Sequence, residues 1–220
     1  MSLDQARENM VKQQLRTLGL PFNEVMQAVS QLPRESYIPS PLSSLAYAET
    51  EIPLENDQTL YPLTILIPLL DALELSKSDQ VLEWYPTTGY ITTLLSKLTR
   101  HVDTADTNDT FLEMARQNVK TYGDYNVSFF VRQQPLSVPI EGQTYDKIII
   151  TQIIQSLPDD LKKALNVGGC ITALRQHGYT SQAIKVTRIS EDQWKETILS
   201  NEYTPADAMK NIADNQDQWF

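Results

Sequence analysis

The N-terminal third of the chain shows helical periodicity that is interrupted by turn residues. Apolar residues recur every three or four positions over residues 3–18, which predicts an amphipathic helix. Gly19 ends this pattern, and residues 21–32 predict a second helix. Residues 32–55 are rich in Pro and Ser, so they predict an extended connector that wraps around the protein rather than packing regularly. Residues 63–74 predict a largely buried helix.

A different pattern begins at Asp79, where short apolar runs alternate with stretches of helical periodicity. The predicted strands are residues 79–85, 101–106, 126–131, 145–151, 169–174, 183–189 and 193–199. The predicted helices are residues 88–99, 109–121 and 158–166. Alternation of this kind predicts an α/β fold with a doubly wound, mostly parallel sheet.

We predict a single domain over residues 1–220. The helical and wrapping segment covers residues 1–78, and the strand–helix core covers residues 79–200. Residues 201–220 are polar and acidic, so we expect a mobile or loosely packed tail. Ligands of doubly wound sheets bind beyond the carboxyl ends of the strands, where the strand order reverses. The sequence VLEWYPTTGY at residues 81–90 is predicted to lie at such an end.

Composition narrows the class of protein and of partner. The chain has 220 residues, 41% of them hydrophobic, which suits one folded domain with a sizeable core. No stretch approaches about 18 uninterrupted apolar residues, and the polar N-terminus lacks the apolar centre of a signal peptide. A single cysteine, Cys170, cannot form an internal disulfide, so we expect a reducing, cytoplasmic setting. The net charge of −10, with no basic stripe, predicts no nucleic-acid partner, and no membrane partner is expected.

Several stretches of the chain together carry a family resemblance. They are RENMVKQQLRTLGL, LPRESYIP, LAYAETEIPL, DQTL, VLEWYPTTGYITTLLSKL, YDKIIIT and NVGGC. In their order and spacing they resemble the protein-L-isoaspartate O-methyltransferases, over roughly residues 6–200. The resemblance implies a Rossmann-like methyltransferase fold with an N-terminal helical extension and a rearrangement of the last strands. It also implies methyl transfer from S-adenosylmethionine to the α-carboxyl of an isoaspartyl residue in a damaged protein or peptide, which starts repair.

The loop at residues 81–90 departs from the cofactor loop of that family, VLEIGTGSGY. Glu83 and Gly89 match the family, whereas Tyr85 and Thr87 replace its first two glycines. Glycine permits positive φ and close approach of the backbone to a ligand, while a side chain in that conformation costs about 1–2 kcal/mol. We therefore expect the loop to be reshaped and the methionine end of the cofactor pocket to be partly filled. Trp84 and Tyr85 would then be core residues of a strand-to-helix turn; the alternative is an altered loop that tolerates the cofactor.

Two further positions bear on cofactor binding. Asp106 ends a predicted strand where the resemblance implies a carboxylate that accepts charge-assisted hydrogen bonds from both ribose hydroxyls. Its alternative role is a solvated cap for the helix that begins near Asp109. Gln133 lies where the family commonly has the acid of a GDG motif that holds the adenine amino group. Gln133 keeps one acceptor for that hydrogen bond but lacks the charge.

The acceptor motif is changed as well. The family has QTIS, and its serine lies near the isoaspartyl carboxylate and the transferring methyl group. Here Thr59 is kept and Tyr61 takes the serine position, so these two residues are the catalytic candidates. We expect the ring of Tyr61 to crowd the pocket, because a misplacement of about 1 Å can cost roughly 100-fold in rate. Residues 151–155 read TQIIQ where the family has TAAAP, which adds bulk beside the expected pocket.

These changes predict an isoaspartyl methyltransferase-like protein that is weakly active or inactive, with binding of S-adenosylmethionine weakened or lost and the fold retained for an unknown protein partner. One alternative is a functional enzyme that acts on isoaspartyl proteins or peptides. Another is a non-catalytic module that binds a protein or a ligand. No metal site is expected, since His101 and His177 lack Cys or acidic partners at the spacing of metal ligands.

Overall fold

The computed structural model describes residues 2–40, 42–55, 58–200 and 203–205. In chain order, the strands are β1 Ile52–Pro53, β2 Thr59–Leu60, β3 Gln80–Trp84, β4 His101–Asp106, β5 Val127–Val131, β6 Tyr145–Ile154, β7 Leu165–His177, β8 Thr180–Ser190 and β9 Gln193–Ile198. The α-helices are α1 Leu3–Asn9, α2 Glu24–Gln31, α3 Leu63–Asp71, α4 Tyr90–Leu98, α5 Asp109–Tyr122 and α6 Asp159–Lys163.

Seven strands form the central sheet, in the order β5-β4-β3-β6-β7-β8-β9. The strands from β5 to β7 are parallel, whereas β8 and β9 run antiparallel to their neighbours. This confirms the predicted doubly wound, mostly parallel sheet. From β3 the chain continues to β4 and β5 on one side, and β6 then pairs with β3 on the other side. The loop after β3 therefore lies at the switch point, where such sheets bind ligands.

The sheet divides the core into two apolar layers. Along β3, Val81 belongs to one buried cluster and Leu82 to the other, because successive side chains of a strand point to opposite faces. On the face of Val81 pack α3 and α4, through Leu69, Leu70, Leu94 and Leu95, together with the N-terminal segment. The side chains of β3 and β6 are buried on both faces, which is why their sequences read as continuous apolar runs.

The N-terminal helix changes its winding along its length. The predicted helix over residues 3–18 is α1 followed by a π-helical turn at Met10–Gln14 and a 3₁₀ turn at Leu15–Leu18. It ends at Gly19, whose φ of 78° is the left-handed conformation that favours glycine. The second helix begins at Glu24 rather than at residue 21, because the side chain of Asn23 accepts a hydrogen bond from the Met26 amide at 3.1 Å.

The connector over residues 32–55 contributes more to the core than its composition predicts. It forms 3₁₀ turns at Arg34–Tyr37 and Leu42–Leu45, and β1 pairs antiparallel with β2. Its side chains Tyr37, Ile38, Ala46, Tyr47 and Ile52 are buried in the cluster on the Val81 face. The expectation that it would wrap without regular packing is therefore wrong for these residues. The helix that follows, α3, ends at Asp71, three residues before the predicted end, and Glu74 takes a left-handed φ of 55°.

Strand β7 begins earlier than the sequence indicates. Residues 158–166 were expected to be helical, but Leu165 already pairs with Tyr145 of β6. The pairing contains an irregularity between Tyr145 and Lys147. Gly169 lies inside β7, where a Cβ atom would be 2.6 Å from the carbonyl oxygen of Asp146, so only glycine fits this approach.

Part of the predicted C-terminal tail is packed. Tyr203 forms a bridge with Ser181 through backbone hydrogen bonds of 2.6 and 2.7 Å, and Pro205 is buried. The tail prediction for residues 201–202 and 206–220 lies outside the described residues. No helix within the described ranges is long and apolar enough to cross a membrane.

Candidate functional site

The loop after β3 has three left-handed residues. The φ angles are 65° at Tyr85, 51° at Thr87 and 84° at Gly89, and these are the three positions at which the resembling family has glycine. The backbone at Tyr85 and Thr87 is therefore not reshaped away from the conformation that glycine favours, contrary to our expectation. A side chain in the left-handed conformation destabilises the fold by about 1–2 kcal/mol at each of these two positions. The left-handed conformation is especially rare for a β-branched residue such as Thr87.

The side chains around this loop are packed into the protein. Trp84 is fully buried, and its Nε1 donates to the carbonyl oxygen of Ser137 at 3.1 Å. The half-buried ring of Tyr85 lies 5.6 Å from the ring of Trp84, on the same face of the sheet. The hydroxyl of Thr87 donates to the carbonyl oxygen of Pro86 at 2.7 Å. Trp84 is thus a core residue, and the rings of Trp84 and Tyr85 fill space beside the switch point.

Gly89 has a packing role that does not depend on a ligand. It lies directly before α4, and a Cβ atom at this position would lie 2.7 Å from the Cα atom of Ala115 in α5. Since Cβ atoms do not approach backbone this closely, Gly89 sets the distance between α4 and α5. Its retention is therefore explained by helix packing and by its positive φ.

Glu83 is completely buried at the end of β3. Its Oε2 accepts hydrogen bonds from the hydroxyls of Thr92 at 2.6 Å and Thr104 at 2.9 Å, while its Oε1 has no hydrogen-bond partner. Burial raises the pKa of this carboxyl to about 7. The two hydroxyls oppose the shift, because they favour the charged form. Glu83 is consequently an internal carboxyl that links β3, α4 and β4.

Asp106 is one of the predicted cofactor residues, and its carboxylate is already hydrogen bonded within the protein. The side-chain amide of Gln58 donates to both oxygens of Asp106, at 3.2 Å to Oδ1 and 3.1 Å to Oδ2. The backbone amide of Asn108 also donates to Oδ1 at 2.9 Å. Burial raises the pKa of Asp106, and these hydrogen bonds oppose the rise. Asn108, whose side chain accepts from the Thr110 amide, is the N-cap of α5, so the alternative role of Asp106 as that cap is wrong.

The acceptor candidates are separated by the structure. Thr59 lies beside β6, because its backbone exchanges hydrogen bonds with the side-chain amide of Gln152 at 3.3 and 2.8 Å. Tyr61 is buried, and its ring packs edge-on against the ring of Tyr203 at 6.0 Å. Its carbonyl oxygen accepts a hydrogen bond from Nη2 of Arg34 at 2.6 Å. Thr59 thus faces the loop after β3, whereas the ring of Tyr61 packs toward the C-terminal segment.

A small cavity of about 20 Å³ lies between the connector and the loop after β3. Thr59, Thr87, Thr151 and Gln152 contribute to its lining, together with Arg34, Tyr37, Thr88 and Tyr90. Arg34, Tyr37, Thr88 and Tyr90 are not among the site residues predicted from the sequence. Arg34 and Tyr90 nonetheless lie inside two stretches that carry the family resemblance, LPRESYIP and VLEWYPTTGYITTLLSKL. Gln133, by contrast, is exposed beyond the end of β5.

Comparison with known proteins identifies the family. The family model described as "Protein-L-isoaspartate(D-aspartate) O-methyltransferase (PCMT)" matches residues 5–207. The chain belongs to this methyltransferase family. It is 31% identical over 194 residues to Protein-L-isoaspartate O-methyltransferase 2 of Pelobacter propionicus, covering 88% of this chain and 86% of that protein. It is 28% identical over 197 residues to Protein-L-isoaspartate O-methyltransferase of Rhodopseudomonas palustris, covering 87% of this chain and 88% of that protein.

Solved structures of protein-L-isoaspartate O-methyltransferases share the fold. One from Plasmodium falciparum, in complex with S-adenosyl-L-homocysteine, superposes with a TM-score of 0.73 at 14% identity, covering 90% of this chain and 97% of that one. A second superposes with a TM-score of 0.71 at 21% identity, covering 96% of this chain and 69% of that one. This family member has no group of three or more His, Cys, Asp and Glu side chains placed to hold a metal ion within its described residues.

Proposed function

We propose that this chain is a protein-L-isoaspartate O-methyltransferase-like protein with a degenerate site, which transfers methyl groups to isoaspartyl residues weakly or not at all. Its retained fold then serves to bind a protein partner. The observation that carries the proposal is that Tyr85 and Thr87 place side chains at two of the three left-handed positions of the loop after β3, where the family has glycine. The family is named for methyl transfer to isoaspartyl residues, and we infer that this reaction is impaired here. The methyl donor of the reaction is S-adenosylmethionine.

The contact of Gln58 with Asp106 opposes ribose binding. A carboxylate has about four acceptor sites, and the amides of Gln58 and Asn108 already use three of those of Asp106, so two ribose hydroxyls would compete with these donors. Hydrogen bonds to charged groups contribute about 1.5–3 kcal/mol each, so their loss offsets much of the gain from the ribose. Oε1 of Gln58 has no partner and is buried, so rotating this amide would also require a new environment for it. We infer that these residues, as arranged, do not fit the cofactor.

The side chains of the loop support the same proposal. Glycine lets backbone amides approach a ligand closely, and at positions 85 and 87 this space is taken by a phenol ring and a β-branched side chain. Thr87 is buried in the lining of the small cavity, which has room for about one water molecule. If the side chains of Tyr85 and Thr87 prevent two backbone hydrogen bonds to the cofactor, the affinity of the protein for the cofactor falls by roughly 30-fold or more.

A specific observation favours the alternative, a working S-adenosylmethionine-dependent enzyme that acts on isoaspartyl proteins or peptides. The backbone of the loop keeps positive φ at all three glycine positions, and Asp106 is retained. A loop that has kept this conformation despite its side chains is compatible with an altered, tolerant cofactor site. The third candidate is a non-catalytic module that binds a protein or another ligand. Like the first proposal, it assumes that catalysis is lost. For all three we propose a cytoplasmic protein without nucleic-acid or membrane partners, in keeping with the net charge of −10.

Methyl transfer from labelled S-adenosylmethionine to an isoaspartyl peptide tests the proposal. The Rhodopseudomonas palustris relative is assayed in parallel as the positive control. We expect turnover at least about 100-fold below that of the relative, in line with the usual cost of misplaced reacting groups. Turnover within a few-fold of the relative would overturn the proposal and establish the working enzyme.

A further inference from the structure

The central sheet has two outer strands, and they differ in how they are protected against pairing with another chain. These strands are β5, Val127–Val131, and β9, Gln193–Ile198. Strand β9 carries Lys195 and Glu196, and charged side chains on an edge strand discourage such pairing. Strand β5 reads VSFFV, with no charged residue and no proline. The edge of β5 therefore lacks two of the usual features that keep an edge strand unpaired.

The outer side of β5 presents a row of backbone groups. The carbonyl oxygen of Asn126 accepts a hydrogen bond from β4 at 2.9 Å, and the amide of Arg132 donates one to β4 at 2.8 Å. Both residues thus point toward β4, and successive residues of a strand point alternately to its two sides. The amides and carbonyls of Val127, Phe129 and Val131 consequently point away from β4. No other strand of the described chain pairs with this side of β5.

Apolar and aromatic side chains accompany this backbone row. Val131 is 54% exposed at the end of β5, and Tyr125 is 97% exposed just before its start. Phe129, in the middle of the strand, is half-buried, and the guanidinium of Arg116 in α5 lies 4.6 Å from the centre of its ring. A short run of β-branched and aromatic residues with free backbone groups is suited to pairing with another strand.

We propose that β5 pairs antiparallel with β5 of a second copy of this chain, across a two-fold axis at Phe129. The strand is self-complementary in this register, because Phe129 lies opposite Phe129 of the second copy and Val127 lies opposite its Val131. These are the residues whose backbone groups point outward, so each pair can exchange both of its hydrogen bonds. The two sheets then form one continuous sheet. The proposal does not depend on methyl transfer or on cofactor binding.

Two charged residues beyond the ends of β5 complement this register. Arg132 of one copy lies opposite Asn126 of the second copy and diagonal to its Asp124, and diagonal neighbours are within reach of long side chains. Neither Arg132 nor Asp124 forms a salt bridge within the described part of the chain. The two-fold axis repeats the contact at both ends of the paired strands. This match of charges favours a second copy over an extended segment of an unrelated protein.

Sedimentation velocity of the full chain over a range of concentrations tests the proposal. We expect a reversible equilibrium between monomer and dimer, with a dissociation constant on the order of 10 μM. Association should stop at the dimer, because pairing across a two-fold axis uses up the β5 edge of both copies. A monomer at all concentrations up to about 500 μM, or association into larger species, would overturn the proposal.

A proline substitution at the edge identifies the strand that pairs. Val131→Pro removes an amide that points outward, so pairing with β4 is kept while the dissociation constant should rise at least about tenfold. Ile198→Pro in β9 is the matched control. Ile198 is 57% exposed, and its amide points away from β8 because the amide of the next residue, Leu199, donates to Ala183 at 2.8 Å. The control should leave the dissociation constant unchanged, and a dimer that Val131→Pro does not weaken would overturn the proposal.

Charge reversal tests the register without altering the backbone. Arg132→Asp and Asp124→Arg each place like charges together at both ends of the paired strands, so each should weaken the dimer about fivefold. The double variant Asp124→Arg/Arg132→Asp restores opposite charges and should return the dissociation constant to within about twofold of that of the unmodified chain. Circular dichroism establishes that each variant is folded. Failure of the double variant to recover, with both single variants weakened, would overturn the register and with it the proposed axis at Phe129.

Discussion

Gln58 donates its side-chain amide to both carboxylate oxygens of Asp106, at 3.2 and 3.1 Å, and connects the segment before β2 to the end of β4. The two residues are 48 positions apart in the sequence. The contact satisfies a buried carboxylate from within the protein at the position where the family resemblance implies a ribose. It explains how the fold keeps this acid without a cofactor.

Removal of this amide should destabilise the protein. Gln58→Ala leaves the buried Asp106 carboxylate with fewer donors, so we expect the free energy of unfolding to fall by about 1–3 kcal/mol in urea titrations at pH 7. Gln133→Ala is the control, because Gln133 is exposed, and it should change the stability by less than about 0.5 kcal/mol. Equal stability of the two variants would show that Gln58 does not support Asp106.

Restoring glycine to the loop should restore cofactor affinity. The double variant Tyr85→Gly/Thr87→Gly keeps the left-handed backbone and removes the two side chains, so we expect S-adenosylhomocysteine to bind at least about tenfold more tightly than to the unmodified chain. Glu74→Gly is the matched control, because Glu74 also has a positive φ of 55° and lies outside the loop. A gain in the control, or none in the double variant, contradicts the role assigned to these side chains.

Gly89 should be intolerant of any side chain for structural reasons. Gly89→Ala would place its Cβ 2.7 Å from the backbone of Ala115 at a φ of 84°, so we expect a loss of roughly 2–5 kcal/mol, from strain and overpacking together. Gly142→Ala isolates the strain, since Gly142 has a φ of 73° and open space around its Cβ position, and it should cost about 1–2 kcal/mol. Chemical denaturation measures both values, and similar losses would exclude the packing role of Gly89.

Burial of Glu83 predicts a pH dependence of stability. Its pKa is about 7 in the folded protein, above the usual 4.5. Between these values the folded protein holds a proton that the unfolded chain has released, so the free energy of unfolding falls as the pH rises and levels off above pH 7. The full change is on the order of 3 kcal/mol.

Glu83→Gln tests this dependence because the amide cannot ionise. We expect the variant to be more stable than the unmodified chain at pH 8 and similar to it at pH 5, measured by urea unfolding at intervals of one pH unit. Asp106 keeps a smaller dependence of the same sign, since burial raises its pKa too. An unchanged pH profile in Glu83→Gln would show that this carboxyl is already ionised in the folded protein.

The sequence predicts the sheet better than it predicts the site. Apolar runs such as residues 145–151 and helical stretches such as 109–121 indicate their elements because each is long and strongly periodic. The π-helical turn at Met10–Gln14 and the early start of β7 at Leu165 depend on tertiary contacts, which periodicity does not contain. Periodicity alone predicts that residues 81–90 lie at the end of a strand. The family resemblance is needed to predict that these residues form the cofactor loop.

Within the site, sequence pattern fails where distant residues meet. Replacement of glycine by Tyr85 predicts a change in the loop, but the packed surroundings hold the residue at positive φ. The contact of Gln58 with Asp106 joins residues far apart in the chain, so no local motif announces it. Arg34 carries the resemblance as one letter of a motif, and its burial beside the side chains of Tyr37, Thr88 and Tyr90 is visible only in three dimensions.

Calorimetric titration of the unmodified chain with S-adenosylmethionine and S-adenosylhomocysteine tests the central claim most directly. The degenerate site predicts dissociation constants of about 1 mM or weaker for both compounds, because Asp106 is held by Gln58 and the side chains of Tyr85 and Thr87 occupy the loop. Binding of either compound at micromolar concentration would contradict the claim and establish a cofactor site that tolerates these residues.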